Sequence, residues 1–284
     1  MPTYDTPQPI SADINMVAGE IRVIASDRRD TVVTIAPADA FSDRDVRDAE
    51  DTEVDFTSGR LTVRGPRSYS PFRRAGLPDV TIELPAGSAV DARIGAGAIR
   101  CTGPLGDTRL KSGAGDLQVE DVASLRASTG LGVVSAGHVA GDADLTTASG
   151  RLSVQSVGGR AGLSNSNGDT WIGTAGAALV AKSANGAITA ARTTGPVTAS
   201  TAVGDIRLAE VVHGDATLKT AAGRIEIGIS PGTAARLDLH TDFGRVVNEL
   251  DATSGPRETD NRAEVKARTS FGDIVVQRSV EAAS

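Results

Sequence analysis

One glycine returns along most of this chain at a nearly fixed interval: Gly97, Gly115, Gly132, Gly150, Gly168, Gly186, Gly204 and Gly223, in steps of 18, 17, 18, 18, 18, 18 and 19 residues. A fixed period of this size is the signature of stacked equivalent units. With that glycine as position zero, apolar residues stand at plus two and plus four: Leu117 and Val119, Leu152 and Val154, Ile206 and Leu208, Ile225 and Ile227, with Ile188 and Ala190 as a smaller pair. Gln118, Ser153, Arg207 and Glu226 separate them, the alternation of a half-buried strand. A valine follows at plus seven (Val122, Val139, Val157, Val211) and a second glycine often at plus nine (Gly106, Gly141, Gly159, Gly195). The returning strand puts Leu110, Leu145, Leu163 or Leu218 five before the next glycine, and a short polar side chain three before it: Ser112, Thr129, Thr147, Asn165, Ser183, Thr201, Thr220.

No column has helical spacing. Two short strands and two tight turns per repeat, with small apolar residues inside, predict an all-β, single-stranded β-solenoid (β-helix) of about ten rungs of about 18 residues, once Gly244 and Gly272 are added to the eight registers above. The Ser/Thr column is expected to bond the backbone at the turns. After Ile229 the spacing loosens to 21 and then 28; TDFGRVV (Thr241 to Val247) and TSFGDIV (Thr269 to Val275) repeat the corner pattern, with Phe243 and Phe271 before the glycine as the start of a carboxy-terminal cap.

The first 88 residues read differently. Ile14–Val17, Gly19–Ile24, Thr31–Ile35, Val54–Phe56, Leu61–Val63 and Val80–Leu84 are short β-branched runs between turn-forming or charged residues. They predict an amino-terminal antiparallel β region over 1–88 that shields the first strand edge of a solenoid domain over 89–284. The charge-dense stretch from Asp39 to Asp55 fits either a surface helix or a loop.

A formal net charge of −7 argues against a chain that coats nucleic acid or anionic lipid. Only 3% of residues are aromatic against 32 glycines, which suits a thin coil with room for Ala, Val and Leu. The single cysteine, Cys101, cannot form an internal disulfide, and Met1 to Ile14 has neither a basic patch nor an apolar run of signal-peptide length. A cytoplasmic location without membrane insertion is the expectation.

The opening PQPISADINMVAGEIRVIASD, the VTIELPAGSAV bridge and the units SGAGDLQV, NSNGDTWIG, AVGDIRL and TSFGDIVV resemble the bacterial "putative adhesin" family of β-strand-repeat proteins, a domain of unknown function common in actinobacteria. The resemblance covers essentially the whole chain. It implies a β-solenoid and brings no catalytic residues with it.

Motifs that could carry chemistry are few. Gly228-Ile229-Ser230-Pro231-Gly232 matches G-x-S-x-G, yet Ala235, Leu237 and Leu239 predict a strand after it, where a nucleophile elbow needs a helix. His138, His213 and His240 fall at different rung positions, so no zinc site is expected. Asp116, Asp169, Asp205 and Asp273 share the plus-one column with Val133, Arg151, Ala187, Arg224 and Arg245. Calcium ligands would not alternate with arginine; a surface ladder, Arg151 beside Asp169 and Asp205 beside Arg224, is the expected use. No cofactor is called for.

The functional reading is a non-enzymatic structural or interaction solenoid that binds a protein partner or itself. A module for an acidic or carbohydrate-like ligand is the alternative, and a carbohydrate-active β-helix enzyme ranks third. Two contact surfaces stand out: outward-facing Trp171, and the segment from Arg64 to Pro78, where Tyr69, Phe72, Arg73 and Arg74 combine arginine forks with aromatic faces. The plain alternative for that segment is a long hairpin loop with solvated charges.

Overall fold

The computed structural model describes residues 2–66, 76–250 and 261–279. The chain divides into two compact units, Met1–Ala140 and Gly141–Ser284.

The first unit contains β1 (Thr3–Asp5), β2 (Ser11–Ser26), β3 (Asp30–Pro37), α1 (Asp43–Glu50), β4 (Glu53–Thr57), β5 (Arg60–Arg64), β6 (Pro78–Pro85), β7 (Ala89–Ala114), β8 (Leu117–Leu131) and β9 (Val134–Val139). The antiparallel region is present where β4 lies on β5, β3 on β6 and β1 on β3. Strand β2 departs from that expectation. It is a complete rung, parallel to β7 with Gly19 opposite Gly97, and its other side pairs in parallel with β5 and β6. Ile14, Met16, Ile21 and Val23 are buried around a glycine corner, as in the repeat. The period conceals this register because Gly19 precedes Gly97 by 78 residues.

The charge-dense stretch forms α1. Ser42 caps it by accepting the Asp45 N–H at 3.4 Å. Asp45 and Asp48, one turn apart on the buried side, accept the N–H groups of Leu77 (3.1 Å) and Gly76 (2.7 Å). Cys101 is buried in the core of this unit, and loss of solvent pushes its thiol pKa up to about 12.

The second unit contains β10 (Ala143–Ser149), β11 (Leu152–Val157), β12 (Ala161–Asn167), β13 (Thr170–Ala175), β14 (Leu179–Asn185), β15 (Ile188–Thr193), β16 (Val197–Val203), β17 (Ile206–Val211), β18 (Gly214–Ala222), β19 (Ile225–Ile229), β20 (Thr233–Phe243), β21 (Val246–Asn248), β22 (Asn261–Phe271) and β23 (Ile274–Arg278). One wall of the coil stacks β10, β12, β14, β16 and β18 in parallel; the other stacks β11, β13, β15, β17 and β19. Leu145, Leu163, Ala181, Ala199 and Leu218 form one inner column, and Leu152, Thr170, Ile188, Ile206 and Ile225 another, all buried. Each large aliphatic side chain so buried contributes roughly 1.5–3 kcal/mol.

The end of this unit is interleaved. Strand β18 pairs with β22 and β22 with β20; likewise β19 pairs with β23 and β23 with β21. The chain therefore passes to the outer rung first and returns to fill the inner one. Strands β22 and β23 are thus held by ladder bonds on both sides.

The corners explain two columns. At Gly186 φ is +142°, and a Cβ would lie 2.1 Å from the Gly168 carbonyl oxygen, so the backbone bend and the rung above both require glycine. The polar residue three before most corners bonds the turn locally, as Thr201 does to Val203 O at 3.3 Å, and also acts across rungs: Thr201 donates to Gly186 O, Thr220 to Gly204 O, Thr269 to Gly223 O and Thr241 to Gly272 O, at 2.8–3.2 Å. Each hydroxyl thus satisfies a carbonyl that the ladder leaves over at the bend. The aspartates after the corner do the same for donors. Asp169 Oδ1 accepts the Ala187 N–H (3.0 Å), Asp205 Oδ1 that of Arg224 (2.7 Å) and Asp273 Oδ1 that of Arg245 (2.8 Å). This replaces the expected Arg–Asp ladder, and it explains why the column tolerates Ala or Arg: the acceptor needs only the neighbour's backbone.

Candidate functional site

Two surfaces of the second unit are built well enough to act. The first lies on the outer face of β11, β13 and β15. Trp171 on β13 stands between Ser153 and Thr189 in register. Its indole lies along its own strand over Gly173, where a Cβ would come within 3.1 Å of Trp171 Cη2 and 2.3 Å of the Gln155 carbonyl oxygen. The half-buried indole borders an open hollow of about 450 Å³, lined also by Arg151, Gln155, Asp169 and Thr189. Thr170, 2% exposed, borders it too, but its side chain belongs to the inner column of the coil, where its hydroxyl has no hydrogen-bond partner. Aromatic surface beside a guanidinium, a carboxylate, an amide and hydroxyls can stack and hydrogen-bond a polyhydroxylated ligand.

The second surface is the outer edge of the terminal rung. Among the described residues β20 pairs on one side only, with β22, and β21 only with β23. Leu237 and Leu239, which point into the coil, are consequently half-exposed, while Val246 and Val247 are 44% and 38% exposed. Phe243 and Phe271 stack at 5.0 Å between centroids and remain 67% and 59% exposed. They extend this apolar end and do not close it as a cap would. Outward on β20 stand Arg236, Asp238, His240 and Asp242. On β22, Lys266 lies 2.9 Å from Glu264 and holds that carboxyl below its usual range.

Of the residues singled out from the sequence, Trp171 is on a built surface; Tyr69, Phe72, Arg73 and Arg74 lie outside the described residues. Sequence pattern does not disclose the open edge. Its only signals are the lengthened spacing after Gly223 and the two phenylalanines, and neither reveals that the rungs are stacked out of chain order. The G-x-S-x-G serine is not set up as a nucleophile: Ser230 donates to Glu210 Oε1 at 2.9 Å and strand β20 follows. Among the described residues no three His, Cys, Asp or Glu side chains converge as metal ligands, and no helix is long and apolar enough to cross a membrane.

Parallel rungs, glycine corners and hydroxyl-capped carbonyls define a β-solenoid repeat protein. The Toastrack DUF4097 family model matches residues 11–277, and the chain belongs to that family. No curated protein matches it. Among solved structures it is similar to a "putative cell adhesion protein" from Clostridium sporogenes (10% identity, 98% of each chain covered, TM-score 0.26) and to a "putative adhesin" from Bacteroides fragilis (13% identity, 97% of this chain and 95% of the other, TM-score 0.34). A "putative lipid binding protein" from Parabacteroides distasonis is also similar (9% identity, 96% and 95% covered, TM-score 0.38).

Proposed function

We propose that this protein is a non-enzymatic interaction solenoid that associates with a second copy of itself through the open end of the Gly141–Ser284 unit. The supporting observation is the outer edge of β20, eleven residues long and unpaired on one side among the described residues, beside the exposed Phe243–Phe271 stack. Exposed edges of this length are ready templates for strand pairing. In the first unit, by contrast, the edge of the β5–β6 rung is covered by β4 and β3, with α1 packed on β3 and β6. Sedimentation equilibrium across a wide concentration range tests the reading: a concentration-dependent dimer is expected, and a strict monomer throughout overturns it.

The hollow at Trp171 favours a second reading, a carbohydrate-binding face. Arg151 and Asp169 balance in charge there, which suits a neutral sugar better than an acidic one. Trp171 is the only tryptophan in the chain, so its fluorescence reports the site alone. Titration with short soluble oligosaccharides of glucose, galactose and N-acetylglucosamine should give a saturable change with at least one, absent from calorimetric titration of Trp171→Ala. No response to any of them, or unaltered binding by Trp171→Ala, removes this reading.

A further inference from the structure

The side-chain pattern of β20 goes further than an open edge. It specifies how a second copy would sit on it. We infer that two copies pair β20 with β20, antiparallel, about a two-fold axis through Leu237. This rests on the self-association reading above and adds its register.

The register follows by elimination. When a strand pairs with its own copy in antiparallel fashion, directly opposed residues point to the same face of the sheet. Thr233, Ala235, Leu237, Leu239 and Thr241 point into the coil; Ala234, Arg236, Asp238 and His240 point out. Registers that oppose an inward residue to an outward one would turn charge into the interior and are excluded. Centring the axis on an outward residue sets Arg236 against Arg236, Asp238 against Asp238 or His240 against His240, pairs of like kind, or, at Ala234, uses only residues 233–235 of the ladder. Of the five inward centres, Thr233, Ala235 and Thr241 lie near an end of the regular ladder, oppose at most its residues 233–237 and set no arginine against an aspartate, so only Leu237 and Leu239 need weighing. Centring on Leu239 sets Arg236 against Asp242, which lies beyond the last regular ladder position of β20 before the bend, Thr241, and sets Asp238 against His240, a partner charged only when protonated. Centring on Leu237 opposes Arg236 to Asp238 twice by symmetry.

That register also uses the whole regular ladder, Thr233 to Thr241, with Thr233 opposite Thr241, Ala234 opposite His240, and Ala235 opposite Leu239. Inside, Leu237 meets Leu237 and covers the half-exposed column that the terminal rung leaves open. The charges are available for it. Glu264, the β22 neighbour of Arg236, is engaged by Lys266 at 2.9 Å, and Asp238, which stands beside that same Lys266 in register, makes a loose 3.8 Å contact with Arg268. A two-fold edge pairing occupies the same edge in both copies and therefore closes at a dimer.

Register and association are tested separately. Arg236→Cys and Asp238→Cys are made singly and incubated under mild oxidation, each alone and mixed. Opposed cross-strand residues are within disulfide reach and diagonal ones are not. The mixture should give a disulfide-linked dimer far faster than either variant alone, and Arg236→Glu should weaken the sedimentation-equilibrium dimer about tenfold by making both symmetric pairs repulsive. Retained secondary structure by circular dichroism confirms that the variants fold. If the wild type dimerises but the mixture cross-links no faster than the single variants, the Leu237 register is wrong while self-association stands; preferential cross-linking of Asp238→Cys with His240→Cys would move the axis to Leu239. A wild type that stays monomeric overturns both.

Discussion

Gly186→Ala should be among the most damaging single-methyl additions in this fold, and the structure sets its size. The residue has φ +142°, a conformation that costs a non-glycine residue about 1–3 kcal/mol. The new methyl would sit 2.1 Å from Gly168 O and 2.5 Å from Gly168 C, both backbone atoms. Relief requires the two rungs to part by about 1 Å where strands are spaced about 4.8 Å. The adjacent ladder bonds Gly168 N–H to Asn185 O and Thr170 N–H to Ala187 O, both 2.8 Å, are lost or stretched, at about 1 kcal/mol each. The total is about 3–5 kcal/mol. Two other glycines separate the causes. Gly232 has φ +78° with no atom within 4 Å of where a methyl would stand, so Gly232→Ala carries the dihedral cost alone, about 1 kcal/mol. Gly162 lacks a positive φ and its nearest atom would be 3.7 Å away, so Gly162→Ala should be neutral or stabilising by a few tenths of a kcal/mol. Urea unfolding followed by circular dichroism ranks the three. A Gly186→Ala loss within about 1 kcal/mol of the Gly232→Ala loss would refute the reasoning from rung contact.

Thr170→Val should raise stability by about 1 kcal/mol, read as a shift in the urea midpoint, because it removes a buried hydroxyl without a partner from an aliphatic column. Cys101 should resist alkylation in the native protein and react on unfolding. Its folded pKa is raised by burial to about 12 from an ordinary 9.0, so its stabilising contribution is complete below pH 9.0 and declines as pH rises from there towards about 12, where the unfolded thiol ionises and the folded one does not. Alkylation against urea concentration and stability against pH, compared with Cys101→Ala, check both statements.

Much of the fold was legible in the sequence because a repeat multiplies weak signals. Leu152 and Val154 alone could belong to any strand, whereas similar pairs recurring after Gly115, Gly204 and Gly223 admit only a stack. The hydroxyl column was legible as turn chemistry, but its reach to the preceding rung was not, since that bond joins residues some 15 positions apart. The Trp171 surface was half legible: alternation puts the side chain outside, while the hollow depends on Gly173 lying beneath the indole and on Ser153 and Thr189 flanking it in register.

The sequence by itself determined the rung, its inward and outward faces and its glycine corner, because these are properties of neighbours along the chain and of a period repeated many times. Only the tertiary structure decided the order in which rungs stack. Residues 11–26 join a rung made from Ala89 onwards, and residues 261–278 slip inside residues 233–248. Every rung offers nearly the same ladder to every other, so local pattern cannot choose between neighbours. The choice falls to packing, and among the described residues it leaves β20 rather than β22 at the open edge.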